Sequence, residues 1–351
     1  MNLQDIAKAA NVSTATVSRA INRVPNVDPV LARRVWRVIE QVGYYPNKHA
    51  RALVSGHSRI LGLVVSEITN PFFPEIVQTF TELGISHNYE VLLSFLPEDS
   101  GLIGRAARQM IERRVDGVAI LTFGREEGLV EVFRRQNLPM VAVDIDSEGP
   151  LCLRVDYQHG IRQAVQHLAA LGHERIAFIG GPATLKTAQM RRIAFLECMR
   201  EIDLAVSLDF VVEGDHTMEA GMKSISALAL LPERPSAVVC SNDMTAIGVM
   251  RQAFELAIEV PRDLSVVGFD DIRLAQFMTP PLTTVQMSQT EIANTAFRAL
   301  LECVADEPNQ KAKEPYSINT NLVLRRSTAL APGRLRWSSC ESQNVPASAK
   351  P

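Results

Sequence analysis

The chain has 351 residues, of which 46% are hydrophobic, and it carries 36 Lys and Arg against 39 Asp and Glu. This length predicts two or three domains with ample core. No apolar stretch approaches the ~18 residues that a membrane span needs, and the first residues lack the basic and apolar runs of a signal peptide. The five scattered cysteines include no CxxC pair. Their spacing argues against a disulfide framework or a zinc site and favours a reduced, cytoplasmic location.

The charge is unevenly distributed along the chain. Residues 1–60 carry nine basic and three acidic side chains, a net charge of +6, and the remaining residues carry −9. A cationic segment on an anionic body suggests a polyanionic partner such as nucleic acid. From charge alone, a solvated surface with chance clustering remains the alternative.

Three short helices are predicted at the N-terminus. Apolar residues at i, i+3, i+4 and i+7 indicate a helix over 3–10, and a second helix is predicted over 14–22. A third begins at Pro29, with Asp28 as its N-cap, and ends at Gly43. Two such helices, backed by a third, form a helix-turn-helix unit whose second helix enters the major groove of DNA. An ordinary three-helix bundle is the alternative.

A further short segment follows the third helix. Pro46 stops any helix that runs through it, and Asn47 can cap a short helix over 48–54 that ends before Gly56. A helix of this length is not stable alone in water, so it needs DNA or a second copy of the chain as a partner. We therefore predict a hinge that becomes ordered on binding.

From residue 59, short β-rich runs alternate with helical stretches. Strands are predicted over 60–66, 90–95, 117–122, 139–143, 175–180, 209–212, 237–240 and 265–268. Helices are predicted over 74–87, 102–114, 157–171, 187–202, 218–230 and 244–256. Continuously apolar strands indicate a parallel sheet covered by helices on both faces. About 270 residues exceed one such sheet, so we predict two Rossmann-like lobes with a ligand cleft between them.

Five loops at the predicted strand ends carry side chains suited to a small polar ligand. Aromatic faces at 70–73 can stack on a sugar or base ring. Asp, Asn and Arg side chains at 144–146, 189–192, 241–243 and 268–271 can fork onto adjacent hydroxyl groups. Any one loop alone is more simply explained as a helix cap. Five of them at one sheet edge favour a binding site.

The sequence does not display the motifs of catalysis or metal binding. Gly180, Gly181 and Pro182 lack the spacing of a phosphate loop, and His167 and His173 do not share a helical face. No HExxH or Gly-x-Ser-x-Gly sequence occurs. We therefore expect neither an enzyme activity nor a metal or other cofactor.

Several motifs resemble those of one known family. The run DIAKAANVSTATVSRAIN at 5–22, with GYYPN at 43–47 and ARAL at 50–53, resembles the head and hinge of the lactose/galactose repressor (LacI/GalR) family of bacterial transcription regulators. The body of this chain resembles the effector-binding core of the same family. The motifs that carry this resemblance are LGH at 171–173, IGGP at 179–182, SND at 241–243, VVGFDD at 266–271, PPLTT at 280–284 and LRRS at 324–327. The resemblance covers about residues 3–328. It implies an all-α helix-turn-helix head and an α/β body with two Rossmann-like lobes of the periplasmic-binding-protein type.

The resemblance implies a regulator, usually a repressor, that binds a near-palindromic operator in double-stranded DNA as a homodimer at the bacterial nucleoid. It implies base reading by Thr14 and Ala15, a further contact by Arg19, and a minor-groove wedge role for Leu53. The other residues that we assign to the DNA interface are Thr16, Ser18, Asn22, Asn47 and Arg51. The tail lacks a heptad pattern, which favours a dimer over a tetramer, and its composition predicts disorder.

For the effector site, the resemblance implies ligand contacts by Phe72, Phe73, Asp144, Arg191, Asn242 and Asp270. Arg192 is the alternative to Arg191. His216 lies where several sugar-binding relatives have an aromatic residue, and a surface position is its alternative. The expected effector is a sugar or sugar derivative, with a purine or nucleoside that acts as a corepressor as the alternative. A periplasmic-type ligand carrier without a DNA function is the other alternative for the whole chain.

These expectations divide the chain into a helix-turn-helix domain (1–46), a hinge helix (47–58), a two-lobed effector-binding and dimerisation domain (59–328) and a disordered tail (329–351). The N-lobe would comprise about 59–156 and 288–316, and the C-lobe about 157–287 and 317–328. Ligand between the lobes would change the spacing of the two hinge helices across the dimer axis. Operator affinity would then be coupled to ligand binding.

Overall fold

The computed structural model describes residues 2–21, 27–43, 57–96, 100–124, 128–144, 151–305 and 315–333. The predicted hinge helix at 48–54 and most of the predicted disordered tail lie outside these residues. Among the helices of the described ranges, none has the length and hydropathy to cross a bilayer.

Three helices form the N-terminal unit, as the sequence predicts: α1 (Leu3–Ala10), α2 (Thr14–Ile21) and α3 (Pro29–Val42). The hydroxyl of Ser13 accepts a hydrogen bond from the Thr16 amide at the start of α2. The carboxylate of Asp28 accepts one from the Val30 amide at the start of α3. These caps satisfy amides that a helix cannot pair internally. The apolar faces of the three helices then pack into one small core.

Eleven strands within the described ranges form one sheet in the order β2-β1-β3-β4-β5-β11-β10-β9-β8-β6-β7. They are β1 (Ile60–Val65), β2 (Glu90–Phe95), β3 (Gly117–Leu121), β4 (Met140–Val143), β5 (Leu151–Asp156), β6 (Ile176–Ile179), β7 (Val211–Val212), β8 (Ala237–Cys240), β9 (Ser265–Asp270), β10 (Thr283–Met287) and β11 (Tyr316–Val323). Neighbouring strands are parallel except β10 and β11, which are antiparallel.

Helices cover the sheet on both faces, which explains its continuously apolar strands. They are α4 (Phe72–Ser86), α5 (Ser100–Glu112), α6 (Leu129–Arg135), α7 (Tyr157–Ala170), α8 (Lys186–Glu201), α9 (Met218–Leu228), α10 (Asp243–Glu255) and α11 (Gln289–Ala305). The helices and strands predicted for the body are confirmed with shifts of one or two residues. The helix predicted from residue 74 begins at Phe72, because the Asn70 side chain accepts a hydrogen bond from the Phe72 amide.

Strand β11 joins the two lobes. Its first four residues pair with β5, and its last four pair with β10. Strands β1–β5 therefore form the sheet of an N-lobe, and β6–β10 form the sheet of a C-lobe. Helix α11 follows β10 but returns to pack against α4, β3 and β4 of the N-lobe. The two-lobed α/β body is the predicted one, although α6, α11, β5, β10 and β11 were absent from the sequence prediction.

Gly160 in α7 allows that helix to lie close to β10 and β11. A Cβ atom there would lie 2.3 Å from Val285 and 2.6 Å from the Thr320 hydroxyl oxygen, whereas one at Gly104 in α5 would meet nothing within 4 Å. We expect Gly160→Ala to lower the free energy of unfolding by about 1–3 kcal/mol through overpacking. Gly104→Ala is the matched control and should raise it by about 0.5–1 kcal/mol through helix propensity. Urea unfolding of both variants measures the difference, and equal stabilities would contradict the close packing.

Candidate functional site

The surface of α2 carries three of the residues predicted to contact DNA. Thr14, Ala15 and Arg19 are exposed, while Val17 and Ile21 are buried in the core of the N-terminal unit. Small side chains at the start of the helix permit close approach to base edges. An arginine one turn later can fork onto guanine or a phosphate. This face is therefore chemically suited to the major groove.

The other predicted DNA contacts are less exposed or lie outside the described residues. Thr16 and Ser18 are half-buried. The hydroxyl of Thr16 lies 2.9 Å from that of Ser13, so it also supports the cap of α2. The predicted contacts that lie outside the described residues are Asn22, Asn47, Arg51 and Leu53.

A cavity of about 930 Å³ lies between the two lobes, within the size range of small-molecule sites. The N-lobe contributes the ends of β1 and β3 and the start of α4. The C-lobe contributes α8, the segment before α9 and the ends of β8 and β9. Six of the seven predicted effector contacts line the cavity: Phe72, Phe73, Arg191, His216, Asn242 and Asp270.

An aromatic wall forms the N-lobe side of the cavity. The ring centroid of Phe72 lies 5.4 Å from that of Phe73 and 5.3 Å from that of Phe123, and both contacts are edge-to-face. This is a favourable geometry for aromatic pairs. Sequence reasoning missed Phe123. Its position directly after the predicted strand at 117–122 was the available signal, since ligands bind at the carboxyl ends of such strands.

Arg191 lies at the C-lobe side of the cavity and is only 5% exposed. Its guanidinium carbon lies 4.1 Å from the ring centroid of Phe269 and 5.1 Å from that of Tyr157. Its Nη1 donates to the Ser241 carbonyl and lies 3.6 Å from Oδ1 of Asp270. A buried guanidinium needs such partners, because the transfer of a charge from water into the protein interior costs free energy unless the charge is paired and hydrogen-bonded. Arg192 is exposed and does not line the cavity.

Asp270 provides a buried carboxyl group opposite Arg191. Burial raises the pKa of Asp270 to about 7, although the charge of Arg191 acts to lower it. The residue has φ +110°, and its carbonyl accepts a hydrogen bond of 3.0 Å from the Gln289 side chain. Neither Oδ1 of Asp270 nor Nε of Arg191 has a hydrogen-bond partner. Buried polar atoms are normally paired, so these two are available to a ligand.

Asn242 and His216 form a linked pair in the C-lobe. The side-chain oxygen of Asn242 caps α10 by accepting from the Thr245 amide, and its nitrogen donates to the His216 carbonyl at 3.0 Å. His216 is half-buried, and its backbone is left-handed, with φ +67°. Gly181 makes room for the imidazole, because a Cβ atom there would lie 2.0 Å from Nε2 of His216. Asn242 thus holds His216 at the cavity.

Asp144 is not among the residues that line the cavity. Its two carboxylate oxygens accept hydrogen bonds from the Val155 amide at 2.9 Å and from the Tyr157 hydroxyl at 2.7 Å. Burial raises the pKa of Asp144. The structure therefore places it behind the cavity wall, where it orients the ring that faces Arg191. Sequence reasoning missed Tyr157, because the strand that ends beside it was not predicted.

Direct hydrogen bonds join the lobes beside the cavity. The Thr187 hydroxyl in α8 donates to the Phe123 carbonyl at 2.8 Å, and Nζ of Lys186 donates to the Asp144 carbonyl at 3.3 Å. Both acceptor residues have left-handed backbones, with φ values of +52° and +54°. The N-terminal turn of α8 thus binds two bent loops of the N-lobe.

Two family models match the chain. The model described as bacterial regulatory proteins, lacI family, matches residues 2–47, and a periplasmic binding protein-like domain matches residues 165–328. The HTH-type transcriptional repressor PurR of Actinobacillus pleuropneumoniae serotype 3 (strain JL03) is 31% identical over 93% of this chain and 97% of its own. The chain belongs to the LacI family of bacterial regulatory proteins. Catabolite control protein A of Priestia megaterium is 30% identical over 88% of this chain and 93% of its own.

Solved structures of LacI-family proteins share the fold of the head and the body. The Lac repressor dimer bound to operator and the anti-inducer ONPF superposes with a TM-score of 0.83 at 25% identity, covering 94% of this chain and 99% of that one. The transcriptional regulator CelR in complex with cellobiose gives a TM-score of 0.71 at 26% identity, covering 93% and 99%. The predicted family, fold and role as a DNA-binding transcription regulator are confirmed.

The buried carboxyl of Asp270 makes the stability of the ligand-free protein depend on pH. Its pKa is about 7 in the folded state against the ordinary 3.8, so the folded state binds more protons than the unfolded state between these values. The free energy of unfolding should therefore fall as the pH rises from about 4 to about 7, by on the order of a few kcal/mol. Asp270→Asn should remove this part of the fall.

Urea unfolding of both proteins across this pH range measures the effect. Burial also raises the pKa of Asp144 and of Asp243, and these carboxyls are present in both proteins. Only the difference between the two pH profiles reports on Asp270. Identical profiles would contradict its raised pKa.

Proposed function

We propose that the protein is a homodimeric, effector-responsive transcriptional repressor that binds a near-palindromic operator. The observation that carries this proposal is the cavity between the lobes, where Arg191 and Asp270 have buried polar atoms without partners. The similar Lac repressor is a dimer bound to operator DNA, which supports the same assembly here. The exposed face of α2 supports DNA reading.

The residue roles and domain boundaries belong to this proposal. Thr14 and Ala15 read bases, and Arg19 adds a base or backbone contact. Asn47, Arg51 and Leu53 contact the DNA from a hinge at 47–58. The family resemblance supports this assignment. The effector domain spans 59–328. Strand β11 pairs with strands of both lobes, and α11 follows a C-lobe strand but packs on the N-lobe.

We propose that the effector is a sugar or sugar derivative. The aromatic wall of Phe72, Phe73 and Phe123 can pack against the apolar face of a ring. The guanidinium of Arg191 and the carboxyl of Asp270 can bind adjacent hydroxyl groups. The similar regulator CelR is described with cellobiose, which supports this class of ligand. A purine or nucleoside that stacks on the same wall is the alternative.

We also propose that the protein is not an enzyme and acts in the cytoplasm, where it meets its DNA. Burial raises the pKa of Cys198 to about 11 and raises that of Cys240 further. These thiols therefore stay protonated and are poor nucleophiles. A ligand carrier without a DNA function is disfavoured because such a carrier needs no helix-turn-helix unit.

Ligand and DNA would be linked through the lobes. A ligand that binds one arrangement of the lobes more tightly shifts the population towards it. If that arrangement fits the operator differently, each ligand changes the affinity of the other by the same factor, with a coupling of about 1–3 kcal/mol in typical systems. The effector need not touch the DNA.

Arg19→Ala should weaken operator binding by about 1–3 kcal/mol if Arg19 reads a base. Operator sequences can be obtained by letting the protein select duplexes from a random pool. Arg37→Ala is the matched control, because it removes the same charge from an exposed position of the N-terminal unit. Mobility shifts at two salt concentrations should show a specific loss for Arg19→Ala alone. Equal losses on operator and random DNA would rule out base reading.

Arg191→Lys should raise the effector Kd at least about 10-fold, because lysine keeps the charge beside Asp270 but loses the planar fork. The effector is first found by thermal shift on a panel of sugars and nucleosides, since a ligand at 100 times its Kd adds about 2.7 kcal/mol of stability. Operator binding without effector should be unchanged.

Arg192→Lys is the matched control for this variant, because Arg192 is the exposed neighbour on the same helix. It should bind the effector as the parent protein does. A normal effector response in Arg191→Lys would move the ligand site elsewhere. If a nucleoside stabilises the protein and no sugar does, the effector is a nucleoside and the proposed sugar effector is wrong.

A further inference from the structure

The charged residues that line the cavity are mostly acidic. Among the lining residues that the structure describes, Glu67, Asp215, Glu219 and Asp270 carry carboxyl groups, and Arg191 is the one lysine or arginine. Arg191 lies 3.6 Å from Asp270, and above about pH 7, the pKa of Asp270, the two buried charges offset each other.

The other three acidic residues are exposed, so we place their carboxylates on the solvent side of the cavity, which is called its mouth. The carboxylates of Glu67 and Asp215 also accept hydrogen bonds from Thr69 and Thr217. His216 also lines the cavity. With this imidazole counted as neutral, the described part of the mouth carries a net negative charge.

These three carboxylates belong to both lobes. Glu67 follows β1 in the N-lobe, whereas Asp215 precedes α9 and Glu219 lies in its first turn, in the C-lobe. Like charges on the two sides of a cleft repel each other, and low-dielectric walls strengthen the field between them. A positive charge in the mouth would be attracted by both lobes. A negative charge would be repelled by both.

The aromatic wall adds to the attraction for a cation. The rings of Phe72, Phe73 and Phe123 follow Glu67 around the N-lobe side of the same cavity. Aromatic faces carry a negative quadrupole that attracts ammonium groups, so a ring that presents its face to the cavity adds to the attraction of the carboxylates. Aromatic rings together with carboxylates are therefore the chemistry that recognises a protonated amine.

The buried end of the cavity, near Asp270 and Arg191, suits a different chemical group of the ligand. Oδ1 of Asp270 is buried, lines the cavity and lacks a hydrogen-bond partner, and Nε of the neighbouring Arg191 lacks one too. An acceptor and a donor side by side suit hydroxyl groups, which both donate and accept. The ligand would place hydroxyls at this end and its charged group towards the mouth.

We propose that the cavity selects a polyhydroxylated ring ligand that carries a protonated amine, such as an amino sugar, and discriminates against phosphorylated sugars. Glu67, Asp215 and Glu219 are the specificity-determining residues. This inference rests on the proposed sugar effector and deepens it. A phosphate group would face the three carboxylates and lose affinity.

The test compares matched sets of three compounds built on the same ring. Glucose, galactose and mannose are each tested as the neutral sugar, the 2-amino-2-deoxy sugar and the 6-phosphate. Binding to the full chain is measured by calorimetry at about pH 7 and about pH 6, where the amine is protonated. Asp270, with a pKa of about 7, loses charge between these values, so the three compounds of a set are compared with one another at each pH. Exposed ion pairs contribute about 0.2–1 kcal/mol each, so the amino sugar of the preferred ring should bind about 10-fold more tightly than its neutral parent. The 6-phosphate should bind more weakly than the parent.

The double variant Glu67→Gln with Glu219→Gln tests the cause. It should reduce the advantage of the amino sugar to about twofold to threefold, because only Asp215 remains at the mouth. Glu233→Gln is the matched control, because Glu233 is exposed and lies outside the cavity lining. Raising the KCl concentration should reduce the advantage in the parent protein, as screening predicts. Unfolding midpoints without ligand check that both variants fold.

The outcomes separate this inference from the function on which it rests. Tighter binding of a 6-phosphate or of a neutral sugar than of the matched amino sugar overturns the inference and leaves a sugar effector in place. An amino-sugar advantage that persists unchanged in the double variant also overturns it. If none of the compounds binds, the sugar effector itself fails, and the inference falls with it.

Discussion

The arrangement of the cleft follows from the burial of one guanidinium group. A charge that leaves water must be paired and hydrogen-bonded, or it destabilises the fold. Arg191 meets this need with a carbonyl at the end of β8, a carboxyl at the end of β9 and two aromatic rings. These partners do not saturate it, because its Nε remains without a hydrogen-bond partner. The fold thus presents a preorganised donor beside a buried acceptor, and ligand hydroxyls can satisfy both.

The same helix that carries this charge also binds the other lobe. Thr187 and Arg191 are four residues apart in α8, so they lie on one face of the helix. The first donates to the Phe123 carbonyl of the N-lobe, and the second faces the cavity. Gln289 makes the reciprocal contact, from a helix packed on the N-lobe to the carbonyl of Asp270 in the C-lobe. Ligand contacts and interlobe contacts therefore share rigid elements, which is a physical route for coupling.

Much of the fold was predictable because apolar runs and helical periodicity alternate clearly along the body. Strand β10 was missed for a physical reason. This strand begins with Thr283 and Thr284, which are polar but fully buried. The Thr283 hydroxyl accepts a hydrogen bond from the Arg325 amide, and the Thr284 hydroxyl donates one to the Asp243 carboxylate. These hydrogen bonds are tertiary and have no local signal. β11 does alternate between exposed and buried residues, and that pattern was readable.

The candidate site shows where a family resemblance stops being informative. A motif position says that a residue lies near the ligand-binding loops, but the direction of its side chain depends on the neighbours it meets. Asp144 turns away from the cavity because the Val155 amide and the Tyr157 hydroxyl bind both of its oxygens. Glu67 and Glu219 belong to no motif, yet they share one cavity with Arg191 because residues of both lobes line it. Ligand selectivity built on such charges arises from the assembled fold and has no signature in the local sequence.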